Sequence, residues 1–149
     1  MATVEFKGVS QVSRRFKELL ARLGPRLMGE IGMFLMTRIK TRTAAGVDVN
    51  KSAFKPYSAS YAFFRQKKGR PIDKVDLFFT GSMMSSMTYT TTADQTRVFF
   101  APSQDRSGQS NPAKAYYLNQ KREFFGISEE DRKQIGSLVL DSLREGMRS

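Results

Sequence analysis

Between Val12 and Thr43 apolar side chains recur at helical spacing, and only Gly24-Pro25 interrupts them. No other stretch of the chain is as long and as apolar, so the fold has to be built around it. The spacing predicts two helices. Ser10 makes a good N-cap for the first, which carries Val12, Phe16, Leu19, Leu20 and Leu23, with Arg14, Arg15, Lys17 and Arg22 on its wet face. Gly24-Pro25 ends that helix and opens a second with proline at its first position. The second helix carries Leu27, Ile31, Phe34, Leu35 and Ile39, runs to about Thr43 and is the central element. Gly29 and Gly32 each lower its propensity by roughly 1 kcal/mol and mark a close helix crossing. Met28, Met33 and Met36 read as core filling. Its most apolar part, Leu27 to Met36, encloses Glu30 and is about half the roughly 20 residues that a membrane span needs. Glu5 and Lys7 spoil the N-terminus as a signal sequence. A soluble protein made in a cytoplasm is expected.

The rest of the chain alternates short elements and loops. Residues 3–9 alternate as a half-buried strand. Residues 44–57 read as a loop, and Ser58 caps a short helix from Ala59 to about Lys67. Thr80 caps a second short, Met-rich helix reaching Met87. Residues 87–92 and 96–101 are β-branched and aromatic, with Ala93-Asp94-Gln95 between them, and predict a β-hairpin. Residues 102–111 read as a mobile polar loop, Asn111-Pro112 opens a helix, and residues 122–127 look extended. Ser128 precedes Glu129-Glu130-Asp131, which favours a final helix striped by Ile135, Leu138, Val139 and Leu143. The 149 residues are one domain's worth, and the expected class is α+β. N-terminal helices pack on a small, mostly antiparallel sheet, with a closing C-terminal helix.

The chain has no cysteine and no histidine. Thiolate metal sites, thiol nucleophiles and His-based triads are therefore excluded, and no cofactor is expected. No phosphate-binding glycine loop is present. Asp73 and Asp76 could contribute to a metal site but lack a third ligand nearby, and a solvated loop explains them more simply. Glu129, Glu130 and Asp131 are explained by their place at a helix N-terminus. A binding or structural role is expected, not an enzyme. The formal charge of +11, from 25 Lys and Arg against 14 Asp and Glu, favours polyanions. Its densest part is Arg65, Lys67, Lys68, Arg70 and Lys74, read as an exposed loop. Phosphate contact and ordinary solvation both remain open for these cations. Tyr61, Phe63 and Phe64, just ahead of them, could stack on bases, but their spacing assigns them to the buried face of a short helix.

From about residue 38 the order of short phrases resembles the phage virion-morphogenesis, or tail-completion, family. The phrases are Arg42-Thr43 at a helix end, Phe54-Lys55-Pro56-Tyr57-Ser58-Ala59-Ser60-Tyr61, and Leu77-Phe78-Phe79-Thr80-Gly81-Ser82-Met83-Met84-Ser85-Ser86. After the hairpin come Ala115-Tyr116-Tyr117-Leu118-Asn119-Gln120 and Arg122-Glu123-Phe124-Phe125-Gly126-Ile127-Ser128-Glu129-Glu130-Asp131. Asn119 stands where the family has histidine. The resemblance implies a structural virion protein at the head–tail junction, forming a homo-oligomeric ring around the DNA channel. Its partners would be copies of itself, other neck, connector or tail proteins, and double-stranded DNA, with no membrane and no small-molecule substrate. Arg65, Lys67, Lys68, Arg70 and Lys74 would then face the DNA. The alternative is a small basic protein that binds nucleic acid without sequence preference.

Overall fold

The computed structural model describes residues 3–7 and 14–148. In chain order the elements are β1 (Thr3–Lys7), α1 (Arg14–Ala44), α2 (Ala59–Lys67), α3 (Ser82–Ser85), β2 (Met87–Thr91), β3 (Gln95–Phe100), α4 (Asn111–Lys121) and α5 (Glu129–Arg148). The class is α+β. Among the described residues no helix is long and apolar enough to cross a membrane. Contacts of the described residues cluster into two compact units, one holding residues 39–86 and 100–126, the other residues 3–7, 14–38, 87–99 and 127–148.

The second unit contains the sheet, ordered β1-β3-β2. β1 lies antiparallel to β3, with Thr3 opposite Phe99, Glu5 opposite Arg97 and Lys7 opposite Gln95. Thr96 and Val98 are fully buried while Arg97 between them is exposed and pairs with Glu5 at 2.7 Å, which is the period-2 pattern of a half-buried strand. The predicted hairpin is present as β2 and β3, its turn closed by the Thr92 N–H on the Gln95 carbonyl at 2.8 Å. Residues 8–9 of the predicted first strand, the Ser10 cap and Val12 lie outside the described residues.

The two predicted N-terminal helices are one. α1 continues through Gly24 and Pro25 without a break. An interior proline costs about 3 kcal/mol and a glycine about 1 kcal/mol relative to alanine. Burial outweighs this: Leu27, Met28, Ile31 and Leu35 are at most 4% exposed, and each buried side chain of this size contributes about 1.5–3 kcal/mol. Gly24 also serves the packing, since a Cβ there would lie 2.1 Å from the Ala93 carbonyl oxygen in the hairpin turn. The expected helix crossing at Gly29 and Gly32 is corrected too. Gly32 meets the sheet, where a Cβ would lie 2.5 Å from the Tyr89 ring, and Gly29 has nothing within 4 Å. Of the three methionines read as core filling, Met28 is buried, whereas Met33 is 57% exposed.

α5 begins as predicted. Ser128 Oγ accepts the Asp131 N–H at 3.1 Å and Asp131 Oδ2 accepts the Ser128 N–H at 2.9 Å, a reciprocal cap. Buried Asp131 also receives Arg38 Nε at 2.9 Å, and this bond is the main reason the Arg38 guanidinium titrates above its ordinary value.

The first unit buries Ile39, Val49, Phe54, Val75, Met83, Met84 and Ala115 together with the rings of Phe100, Phe124 and Phe125, whose centroids lie 5.1–6.2 Å apart. Segment 122–127, expected to be extended, is so at Arg122 but forms no strand, and it places two phenylalanines in this core. Arg42 is buried and donates to the carbonyls of Phe124 at 3.3 Å and Gly126 at 2.9 Å. The two polar loops are internally bonded around an aspartate. Asp48 Oδ1 accepts the N–H groups of Asn50 and Ser52, both at 2.8 Å, beneath a Val47–Ala53 bridge. Asp105 Oδ1 accepts those of Ser107 at 2.9 Å and Gln109 at 3.0 Å beneath a Gln104–Ser110 bridge.

Candidate functional site

The site belongs to the first unit and starts at α2. Ser58 caps this helix, its hydroxyl accepting the Tyr61 N–H at 3.4 Å, as the sequence predicts. What the helix buries is not as predicted. Tyr61, Phe63 and Phe64 are 39%, 60% and 44% exposed, and the residue it buries is Arg65, at 1%. Arg65 is therefore corrected from an exposed loop cation to an interior one.

The reason is the shape of a guanidinium, a planar fork of five donors that suits several fixed acceptors at once. Nε donates to the Pro71 carbonyl at 3.1 Å, Nη1 to the Phe78 carbonyl at 3.0 Å and Nη2 to Asp76 Oδ1 at 3.4 Å. The guanidinium carbon lies 4.6 Å from the Tyr57 ring centroid and 5.9 Å from that of Phe79. Asp76 Oδ1 also accepts the Phe78 N–H at 2.9 Å and the Tyr57 hydroxyl at 3.4 Å. Asp76 is thus committed to a structural cluster, which corrects its reading as solvated loop. Among the described residues there is no group of three side chains able to hold a metal. Burial pushes the Tyr57 hydroxyl above its ordinary pKa, the nearby Arg65 charge opposing the shift.

The loop wrapped around Arg65 is strained. Leu77 holds a left-handed φ of 55°, which costs a side chain with a Cβ about 1–2 kcal/mol. Gly81, at φ 81°, precedes α3, and a Cβ there would lie 2.7 Å from the Phe78 ring. The positive φ is what favours glycine in that Thr-Gly phrase, since the exposed Phe78 ring could shift.

Four of the five cations proposed from sequence, Lys67, Lys68, Arg70 and Lys74, are exposed. Lys67 Nζ sits 4.9 Å from the Phe63 centroid and the Arg70 guanidinium 5.7 Å from that of Phe79. The aromatics form a ladder. Tyr57 meets Tyr61 edge-on at 5.1 Å, Tyr61 stacks on Phe64 at 6.1 Å, and Phe64 stacks on Phe79 at 5.7 Å.

This ladder helps line a groove of about 1160 Å³. Residues 55–58, 77, 79–84, 117, 118 and 120–122 contribute to its walls, along with the Asp105 loop and Lys114. Four of the five phrases behind the family resemblance supply lining residues, Tyr57, Gly81, Gln120 and Arg122 among them. Arg122 spans two phrases directly, with Nε on the Lys55 carbonyl at 3.1 Å and Nη2 on the Pro56 carbonyl at 3.2 Å. Lys114 pairs with Asp105 Oδ2, and that bond, with the Ser107 hydroxyl, holds the Asp105 carboxyl well below the usual carboxylate range. The first unit carries 13 of the chain's 25 Lys and Arg residues but only 5 of its 14 Asp and Glu residues.

Sequence reasoning missed the interior arginine and the groove. On α2, Tyr61, Phe64, Arg65 and Lys68 share one helical face, so periodicity does not tell which of them turns inward. The groove needs residues 55 and 122 side by side, a pairing no local pattern carries. Comparison with protein-family models, with curated proteins and with solved structures finds no match.

Proposed function

We propose that this chain is a structural subunit of a tailed phage or phage-derived particle, a neck or tail-completion protein at the head–tail junction. Copies of it form a ring around the channel that double-stranded DNA crosses, beside other neck, connector or tail proteins. The observation that carries the reading is the convergence of four family-like phrases, separated by up to about 65 residues in the sequence, on one groove. Exposed apolar surface adds support. Tyr61, Phe63, Phe64, Phe78, Tyr116 and Tyr117 are each at least 39% exposed in the same unit, a quantity that suits a surface buried by neighbours. The cation excess of that unit suits proximity to phosphate. The role is structural and not catalytic, so incubation with DNA, RNA or nucleotides and Mg²⁺ is expected to give no turnover.

Negative-stain microscopy of the purified protein, and immunogold labelling of particles that carry it, test the proposal. Rings with a central opening and label at the junction of head and tail are expected. A protein that stays monomeric or dimeric at all concentrations and is absent from particles overturns it. A second reading, non-specific nucleic-acid binding by a small basic protein, is favoured by the exposed Phe63–Lys67 pair beside Lys68 and Arg70. DNA binding without any ring would select it.

A further inference from the structure

We infer that the groove of the first unit is a docking site for an acidic, apolar-bearing segment of another polypeptide. Part of the positive charge lining the groove is left uncompensated. Among its lining cations, Arg65 is paired with Asp76 and Lys114 with Asp105. Lys55, Lys121 and Arg122 remain, and no further acidic residue lines the groove. The carbonyls that Arg122 contacts orient it without cancelling its charge. An occupant that carries carboxylates is thereby favoured over a neutral or basic one.

The aromatic ladder decides between an acidic peptide and a nucleic acid. Bases stack on open ring faces. Here each of these rings already has another ring or a cation against it, which leaves less open face for a base. Tyr61 stacks on Phe64 and Phe64 on Phe79, while Arg65 and Arg122 lie over Tyr57, Arg70 over Phe79 and Lys121 over Tyr117, the last at 4.4 Å. A stacked ladder presents ring edges sideways, and the edge is the positive end of the aromatic quadrupole. Edges flanked by ammonium and guanidinium groups attract carboxylates, and the apolar sides of Leu77, Met83 and Leu118 in the same lining accept apolar side chains. The volume, about 1160 Å³, exceeds the roughly 300–1,000 Å³ of small-molecule pockets and suits several residues of a peptide.

The occupant is not this chain's own acidic run. Its one stretch of consecutive acids is Glu129-Glu130-Asp131, and Arg38 already pairs with Glu130 at 3.4 Å and Asp131 at 2.9 Å. The inference rests on the proposed assembly role only in expecting that another particle protein supplies the segment.

The test is selection from a library of short random peptides on the full chain, followed by fluorescence anisotropy of the selected peptides. Enrichment of Asp and Glu alternating with aromatic or aliphatic residues is expected. Affinity should fall about tenfold or more in Lys55→Glu combined with Lys121→Glu, and little in Lys68→Glu, which lies outside the groove. Circular dichroism establishes that the variants fold, and Tyr61→Ala, which leaves every charge in place, should also weaken binding. The inference is overturned if nothing is enriched, if neutral or basic peptides are, or if Lys68→Glu weakens binding as much as the groove variants. It is equally overturned if an oligothymidylate strand binds more tightly and depends on Lys55 and Lys121, which would make the occupant a single strand. Peptide binding without rings in the microscope would sink the neck assignment and leave this inference standing, and rings without peptide binding would do the reverse.

Discussion

Arg65 carries the structural weight that its position in a basic run conceals. Removing one partner of a buried ion pair typically costs about 3–5 kcal/mol, because the groups left behind lose their solvation as well as their partner. Arg65→Gln strands Asp76 and the carbonyls of Pro71 and Phe78, so urea unfolding should show a loss of about 3 kcal/mol. Lys68→Gln, on the exposed side of the same run, should stay within about 0.5 kcal/mol of wild type. Equal effects would mean that Arg65 is not interior in solution. Asp105 makes a pH-dependent contribution of known sign. Its carboxyl is held below the ordinary value of 3.8, so its stabilising effect is complete above that pH and is lost as pH falls toward the depressed value. The stability difference between wild type and Asp105→Asn should be constant from neutral pH down to about 4 and then narrow with further acid. A gap that begins to close near pH 6 would contradict the Lys114–Asp105 pairing.

At the scale of elements, α1 is where local rules and tertiary packing disagree. Gly-Pro is a strong stop signal, yet the helix runs through it because the side chains beyond it are buried and Gly24 lets the hairpin turn approach. Pro25→Ala should raise the melting temperature, since it restores a helix donor and gains propensity, an effect of about 1–2 kcal/mol once the freer unfolded chain is allowed for. Gly24→Ala should lower stability by about 1–3 kcal/mol, because the atom in its way is the backbone carbonyl of Ala93, which cannot swing aside. If Pro25→Ala has no effect, the helix is broken there in solution. The elements that the sequence announces are those with local causes. The hairpin follows from alternation around Ala93-Asp94-Gln95, and the Ser58 and Ser128 caps follow from hydroxyls placed ahead of helical runs. The continuity of α1, the outward aromatics of α2 and the groove are set by residues far apart in the chain, and periodicity has no access to them.

For the whole molecule, the distribution of charge matters more than its total. The exposed part of the basic run is four residues, not five, and a variant that replaces Lys67, Lys68, Arg70 and Lys74 by Gln should keep its fold because Arg65 is retained. Its affinity for double-stranded DNA at low salt should fall, and the slope of log affinity against log salt should become shallower by about 0.9 for each phosphate that is no longer neutralised. An unchanged slope would place the DNA-facing charge elsewhere. The two buried arginines of the first unit also differ in how far along the chain they reach. Arg65 bonds to groups 6 to 13 residues away, whereas Arg42 joins segments 82 and 84 residues apart. Closing the longer loop costs about 1.6–2.3 kcal/mol more chain entropy, so the Arg65 cluster is the cheaper one to form first. In stopped-flow chevrons, Arg65→Gln should chiefly slow refolding and Arg42→Gln should chiefly speed unfolding. Residues 57–79 would then be an early-forming nucleus, and the Tyr57–Phe79 side of the groove would take shape before α4 arrives to complete it.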